Sequence, residues 1–270
     1  MNASDECPEG TDVFADAQAA SEAHEVDGWF REVQQAQELF DATLARLQTP
    51  DLRNASLLPQ WTRAHVVAHV AYNARALTRL VDWAATGTPN PMYASRAARD
   101  AEIAAGARLT ATQLRRLSVG EAQGFQAAWS ALPEPRWGHQ VKDGRGLPLA
   151  VKQVLLLRSR ELWMHLIDLD AGITTDDVPA ALQRRILQEV LDTWAARDHF
   201  VSATSTDDGV SSYPWASQHC GPGVRDTDLR ISGELSDLLA WSTGRSATGI
   251  VAADFQGRPL ETVPAAKPWL

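Results

Sequence analysis

The feature that most constrains this chain is a helical apolar period that returns in four long segments. Trp29, Val33, Ala36, Phe40, Leu44 and Leu47 recur at steps of three and four residues, and Pro50 follows as a stop. A second segment, Trp61 to Ala85, carries Val66, Val67, Val70, Leu77, Leu80, Val81 and Ala84, and closes at Thr86-Gly87-Thr88-Pro89. The third opens on Thr110-Ala111-Thr112-Gln113, the pattern of a capping box, and runs to about Leu132 before Pro133 and Pro135. The fourth extends from Leu149 to about Ala171 and stops at Gly172. Four long helices joined by loops predict a four-helix bundle, whose interior is where such folds build metal and cofactor sites. Between the third and fourth helices, residues 137–149 predict a short hairpin on an Asp143-Gly144 turn.

Past Gly172 the pattern changes. One more helix is predicted from Val178 to Phe200, then a stretch rich in Ser, Gly, Asp and Pro, then extended segments at Asp228 to Ser232 and Gly249 to Phe255 around a helix from Glu234 to Ser242. The predicted fold class is therefore mainly α: a bundle followed by a small α+β C-terminal domain. Residues 1–25 are expected to be a disordered acidic arm, 26–174 the bundle and 175–270 the small domain.

Charge and cysteine usage narrow the function. The chain holds 34 acids against 25 bases, a formal charge of −9, so no cationic surplus exists to meet a nucleic acid. Seven of the acids and no Lys or Arg lie in residues 1–25, which leaves about −2 on the remainder, a balance that tolerates an anionic substrate. Two distant cysteines, Cys7 and Cys220, supply neither a disulfide framework nor a cysteine-built metal site and suit a reducing cytoplasm. No apolar run is long enough for a membrane helix. Gly144-Arg145-Gly146 lacks the rest of a phosphate loop, and Cys220 beside His219 reads as a loop thiol rather than a nucleophile.

The chemistry-bearing pattern is histidine and carboxylate. His65 and His69 are four residues apart on the second helix, as are Glu161 and His165 on the fourth, and a spacing of four puts each pair within roughly 40° on one face. One reading is structural: Glu161 pairs with Arg158 or Arg160 on a solvated edge, and the histidines are satisfied polar groups of the bundle. The other is joint: if the two helices are neighbours, His69, Glu161 and His165 converge as a two-histidine, one-carboxylate set with open positions. Zinc suits such ligands, as do nickel, iron(II) and manganese. Asp168 is placed either to orient His165 from behind or to sit in solvent at the helix end.

Three windows carry a family resemblance. They are Trp61-Thr62-Arg63-Ala64-His65-Val66-Val67-Ala68-His69-Val70-Ala71, the loop Gly87-Thr88-Pro89-Asn90-Pro91-Met92-Tyr93 with Arg99-Asp100-Ala101-Glu102-Ile103 downstream, and Arg160-Glu161-Leu162-Trp163-Met164-His165-Leu166-Ile167-Asp168-Leu169. Together they resemble the mycothiol-dependent maleylpyruvate isomerase family of the DinB-like superfamily, over roughly residues 28–250. The resemblance implies a DinB-like metal-binding bundle with His69, Glu161 and His165 as ligands of a divalent metal, usually zinc. The segment Gly233 to Arg245 resembles the small second domain of the family, which implies a catalytic role for Arg245. The acidic arm and the Ser205 to Gly223 loop depart from the family pattern.

The implied chemistry uses mycothiol as thiol cofactor: a thiolate adds to the double bond of a cis-enedioate such as maleylpyruvate, the bond rotates, and elimination returns the trans isomer. An S-transferase that keeps the adduct is the alternative, and a binding or regulatory module with a structural metal is a third reading. The expected partners are a small-molecule thiol and a small anionic or electrophilic substrate. Of the ten tryptophans, Trp29, Trp61, Trp83, Trp129 and Trp163 fall on or at the ends of bundle helices, which predicts packing walls, with Trp163 a candidate for the pocket.

Overall fold

The computed structural model describes residues 12–197, 199, 201–207, 211–213, 229–254 and 256–269. The chain divides into two compact units, Met1–Ala171 and Gly172–Leu270.

The first unit contains α1 (Asp12–Arg46), α2 (Arg63–Thr86), α3 (Arg96–Gly106), α4 (Ala111–Ala131) and α5 (Val154–Asp168), with a two-stranded hairpin of β1 (Gln140–Lys142) and β2 (Pro148–Ala150). Helix α2 lies at the centre, packed on α3, α4 and α5, while α1 packs on α5. Its sequence shows why: Val66, Val67, Val70, Leu77, Leu80 and Val81 are buried together with Ala64, Ala68, Ala71, Ala74 and Ala76, so the helix is apolar nearly all round. Thr62 opens it in a capping box whose N3 partner is His65, and Gly87 closes it in the left-handed region at φ 75°. Thr110 and Gln113 form the expected capping box of α4.

Contacts between elements set the register that matters for function. Arg63, in the first turn of α2, donates to the Leu169 carbonyl at 2.6 Å, and the Leu57 N–H reaches the Asp168 carbonyl at 3.0 Å. The start of α2 is thereby tied to the end of α5, where carbonyls have no helical partner. The fully buried Arg158 of α5 donates to the Val70 carbonyl at 2.8 Å, to Asn73 Oδ1 at 2.9 Å and to Gln37 Oε1 at 2.8 Å, which joins α5 to α2 and α1. Gly106, the last residue of α3, faces Ala68 so closely that a Cβ there would stand 2.8 Å from the Ala68 Cβ and from the Tyr72 ring.

The second unit holds α6 (Ala180–Ala195), α7 (Leu235–Ser242) and a four-stranded sheet of β3 (Val201–Ser205), β4 (Ser211–Tyr213), β5 (Leu229–Gly233) and β6 (Val251–Ala253). The strand order is β4-β3-β5-β6, with β3 and β5 parallel in the register Ala203 to Ile231 and both outer pairings antiparallel. Apolar faces of α6 and α7 pack on each other, and the Trp194 and Trp241 rings meet edge to face at 5.5 Å. Both indole N–H groups donate to the C-terminal tail, Trp194 to the Lys267 carbonyl at 3.0 Å and Trp241 to the Pro264 carbonyl at 2.8 Å. A Schellman turn ends α7: the Gly244 N–H bonds the Trp241 carbonyl and the Arg245 N–H the Ala240 carbonyl, with Gly244 at φ 76°.

Several expectations are corrected. Residues 12–25, read as part of a disordered arm, continue α1, and Glu22 pairs there with Lys152 at 2.6 Å. The stretch from Arg96 forms the separate helix α3. The hairpin turns through five residues, with the Asp143 carboxylate accepting from the Arg145 and Leu147 N–H groups and Gly146 at φ 83°, instead of on Asp143-Gly144 alone. Helix α5 begins at Val154, because Pro148–Ala150 is taken by the hairpin and Val151–Gln153 by a 3-10 turn. Strands β3 and β4 lie in the Ser-, Gly-, Asp- and Pro-rich stretch where no strand was expected, and most of the Ser205 to Gly223 segment, Cys220 included, lies outside the described residues. No helix among the described residues is long and apolar enough to cross a membrane.

Candidate metal centre

The register between α2 and α5 brings His69, Glu161 and His165 together, with one ligand atom from each all within 4.8 Å of one another. His69 Nε2 lies 2.9 Å from Glu161 Oε2, and His165 Nε2 lies 3.4 Å from the same oxygen. The two imidazole rings stand 4.5 Å apart at 88°, so both Nε2 atoms point inward at the carboxylate. The edge of Trp61 covers His69 at 5.6 Å between ring centroids.

Each histidine is held from its far side. His165 Nδ1 bonds Asp168 Oδ2 at 2.9 Å, and Asp168 is fully buried. A carboxylate accepts, so Nδ1 carries the proton and the Nε2 lone pair is left for an ion. This settles the two readings of Asp168 in favour of the orienting one. His69 Nδ1 faces Arg99 Nη2 of α3 at 3.3 Å.

The charges are strongly perturbed. Burial alone would raise the Glu161 carboxyl, but hydrogen bonds from His165 and His69 outweigh it and hold the group well below the usual carboxylate range. Burial, aided by the neighbouring His165, pushes His69 down to about 4 against the pull of Glu161. For His165 burial acts downward too, but bonds to Asp168 and Glu161 prevail and its pKa is raised. The arrangement is an anionic oxygen between two imidazoles, with one ring neutral near pH 7.

Such a donor set fits a divalent ion. It offers one carboxylate oxygen and two imidazole nitrogens on one side, as ions with open positions require. His65 does not join it: its Nδ1 bonds the Thr62 hydroxyl at 2.8 Å in the cap of α2. Arg158 is not a partner of Glu161 at a solvated edge but is buried on amide oxygens, whereas Arg160 Nη2 lies 3.7 Å from Glu161 Oε1. Trp163 is two residues from each ligand and hence about 200° round the helix from Glu161, so it belongs to the opposite, packed face rather than to the pocket. Trp29, Trp61 and Trp83 are only half-buried, whereas Trp129 and Trp163 are buried.

Arg99 and Tyr93 were not singled out as site residues by spacing: Arg99 reaches His69 through the packing of α3 on α2, and Tyr93, in the loop before α3, lies beside Arg99. Their signal in sequence is the Pro91-Met92-Tyr93 loop followed by Arg99. Arg245 lies in the second unit, half-buried, its backbone fixed by the Schellman turn and Nη1 donating to the Thr243 carbonyl at 3.2 Å.

Comparison with known proteins gives one consistent answer. Residues 33–170 match the family described as the mycothiol maleylpyruvate isomerase N-terminal domain. A crystal structure of the mycothiol-dependent maleylpyruvate isomerase is similar at 30% identity, covering 90% of this chain and 97% of that one, with a TM-score of 0.81. A histidine-to-alanine mutant of that isomerase matches at 29% identity with the same coverage and TM-score. Among curated protein sequences none matches. With half of its length inside the family's first domain and nine-tenths of it superposing on a family enzyme, this chain belongs to the mycothiol maleylpyruvate isomerase family.

Proposed function

We propose that the chain is a metal- and mycothiol-dependent cis–trans isomerase that converts maleylpyruvate to fumarylpyruvate. The observation that carries the reading is the convergence of His69 Nε2, Glu161 Oε2 and His165 Nε2 on one point, backed by the buried Asp168. These three residues would hold the ion, and zinc suits the mixed nitrogen and oxygen donors.

When bound, the ion supplies Lewis acidity that brings a coordinated thiol to its thiolate near neutral pH. Mycothiol would supply the sulfur, added to the double bond and later lost, so that the carbon–carbon bond could rotate and the thiol be recovered. The residues of the chain do the remainder. Glu161 is anionic across the working pH range and offsets one of the two positive charges of the ion. His69, with a pKa of about 4, keeps its lone pair at neutral pH. Asp168 holds His165 in one orientation and one tautomer. Arg245, fixed by the turn after α7, would meet a carboxylate or the enolate that develops when sulfur adds.

The test is incubation of the zinc-loaded protein with mycothiol and maleylpyruvate, following the ultraviolet spectrum and free thiol together. The reading expects the trans isomer with thiol fully recovered, and a loss of turnover in Arg245→Ala with zinc content unchanged. Thiol consumption with an adduct mass would instead make the protein an S-transferase. No change in spectrum or thiol would overturn the enzyme reading for this substrate.

A further inference from the structure

Arg99 stands in the first turn of α3, where the Ser95 hydroxyl caps the helix by accepting the Ala98 N–H at 3.0 Å. Its guanidinium reaches back to the candidate metal centre: Nη2 is 3.3 Å from His69 Nδ1, and Cζ lies 5.8 Å from the centroid of the Tyr93 ring. Among the described residues its acidic partner is Asp100, at 3.0 Å and 55% exposed, a contact of little strength in solvent. The guanidinium thus spans an imidazole, a phenol ring and one carboxylate that, standing in solvent, offsets its charge only weakly.

The contact with His69 and a metal at His69 Nε2 exclude each other. A guanidinium only donates, so Nδ1 accepts from Arg99 and Nε2 carries the proton. An ion at Nε2 needs the proton on Nδ1, where it would face the Arg99 N–H. An ion held by His69 would therefore free this guanidinium from the imidazole, next to the ligand residues, and its fork of N–H donors matches a carboxylate.

We propose that Arg99 is the substrate-binding arginine of this centre: it leaves His69 when the metal is held and takes one carboxylate of the cis-dicarboxylate substrate, with the Tyr93 hydroxyl beside it. The proposal rests on the isomerase reading above and adds to it the group that selects an anionic electrophile.

The test uses the full chain with Arg99→Gln and Arg99→Lys, and two titrations. In the first, zinc is added to chelator-stripped protein by calorimetry; Arg99→Gln is expected to bind zinc as tightly as the wild type or several-fold more tightly, because a competing donor is gone. In the second, maleate is added as an unreactive cis-dicarboxylate to the zinc-loaded protein. Its affinity is expected to fall about tenfold or more in Arg99→Gln, as loss of one charge-assisted pair implies, and to recover in part in Arg99→Lys. Zinc affinity that drops tenfold in Arg99→Gln would make Arg99 a prop for His69 and overturn the proposal. Maleate affinity unchanged by Arg99→Gln, or no maleate binding to the zinc-loaded wild type, would also overturn it while leaving the metal centre intact. A wild type that takes no zinc would overturn the isomerase reading itself.

Discussion

At the scale of single residues, one carboxylate outside the triad governs how the centre behaves. Asp168 is buried and accepts a hydrogen bond from His165 Nδ1, so Asp168→Asn replaces an acceptor-only anion with a group that no longer fixes the tautomer. Zinc affinity in that variant is expected to fall 10- to 100-fold, measured by competition with a chromophoric chelator, while the far-ultraviolet dichroism is kept. The pKa shifts give a second expectation, for the metal-free protein. His69 has a folded pKa of about 4 against an ordinary 6.5, so the unfolded chain binds the extra proton and stability is lost as pH falls from 6.5 toward 4. His165 is raised above 6.5, so its contribution is present below 6.5 and lost as pH rises through its folded value. Together they place a stability maximum near pH 6.5. Thermal melts in chelator across that value should show an alkaline decline in the wild type that is absent in His165→Gln; equal declines in both would refute the assignment. Part of this centre was legible in the chain: the two four-residue spacings marked His65, His69, Glu161 and His165 as candidates, and the family resemblance implied His69, Glu161 and His165 as the ligand set, whereas His65 is engaged in the α2 cap. Arg99 was not, because α3 meets α2 through tertiary packing that no periodicity encodes.

At the scale of elements, the short helix α3 decides whether Arg99 reaches the centre, and Gly106 decides how closely α3 lies on α2. Adding a Cβ at Gly106 removes the backbone entropy of a helical glycine, a gain of about 0.5–1 kcal/mol. It also drives a methyl to 2.8 Å from the Ala68 Cβ, which is anchored in a buried helix and cannot swing aside. Overpacking of this kind costs about 1–3 kcal/mol, so the clash wins and Gly106→Ala is expected to lower the denaturant midpoint. An unchanged or raised midpoint would mean that α3 adjusts freely. The elements that sequence located well are those with long apolar periods and explicit caps, such as α2 between Thr62 and Gly87 and α4 from its Thr110–Gln113 box. Those it missed have physical reasons. Helix α3 is short and rich in Ala and Arg, so its period is faint. The start of α5 is lost to β2 because hairpin pairing outbids helix propensity over Pro148–Ala150. The early start of α1 is supported by Lys152 on Glu22, a contact distant in sequence.

At the scale of the whole molecule, the chain has a helical unit that carries the three proposed ligands and an α+β unit that carries Arg245. The sequence changes character near Gly172, and the division of the chain into compact units falls between Ala171 and Gly172. It could not anticipate the parallel pairing of β3 with β5, since strands of three to five residues leave little alternation to read. The central claim is that the first unit holds one divalent ion on His69, Glu161 and His165 and presents it to a thiol. Cobalt(II) substitution tests this most directly, because its visible bands report the ligand set and a near-ultraviolet sulfur-to-cobalt band reports a thiolate on the ion. The account predicts one cobalt per wild-type chain, none in Glu161→Ala, and the appearance of the sulfur band when mycothiol is added. Stoichiometric cobalt in Glu161→Ala, or a loaded wild type in which mycothiol raises no sulfur band, would contradict it.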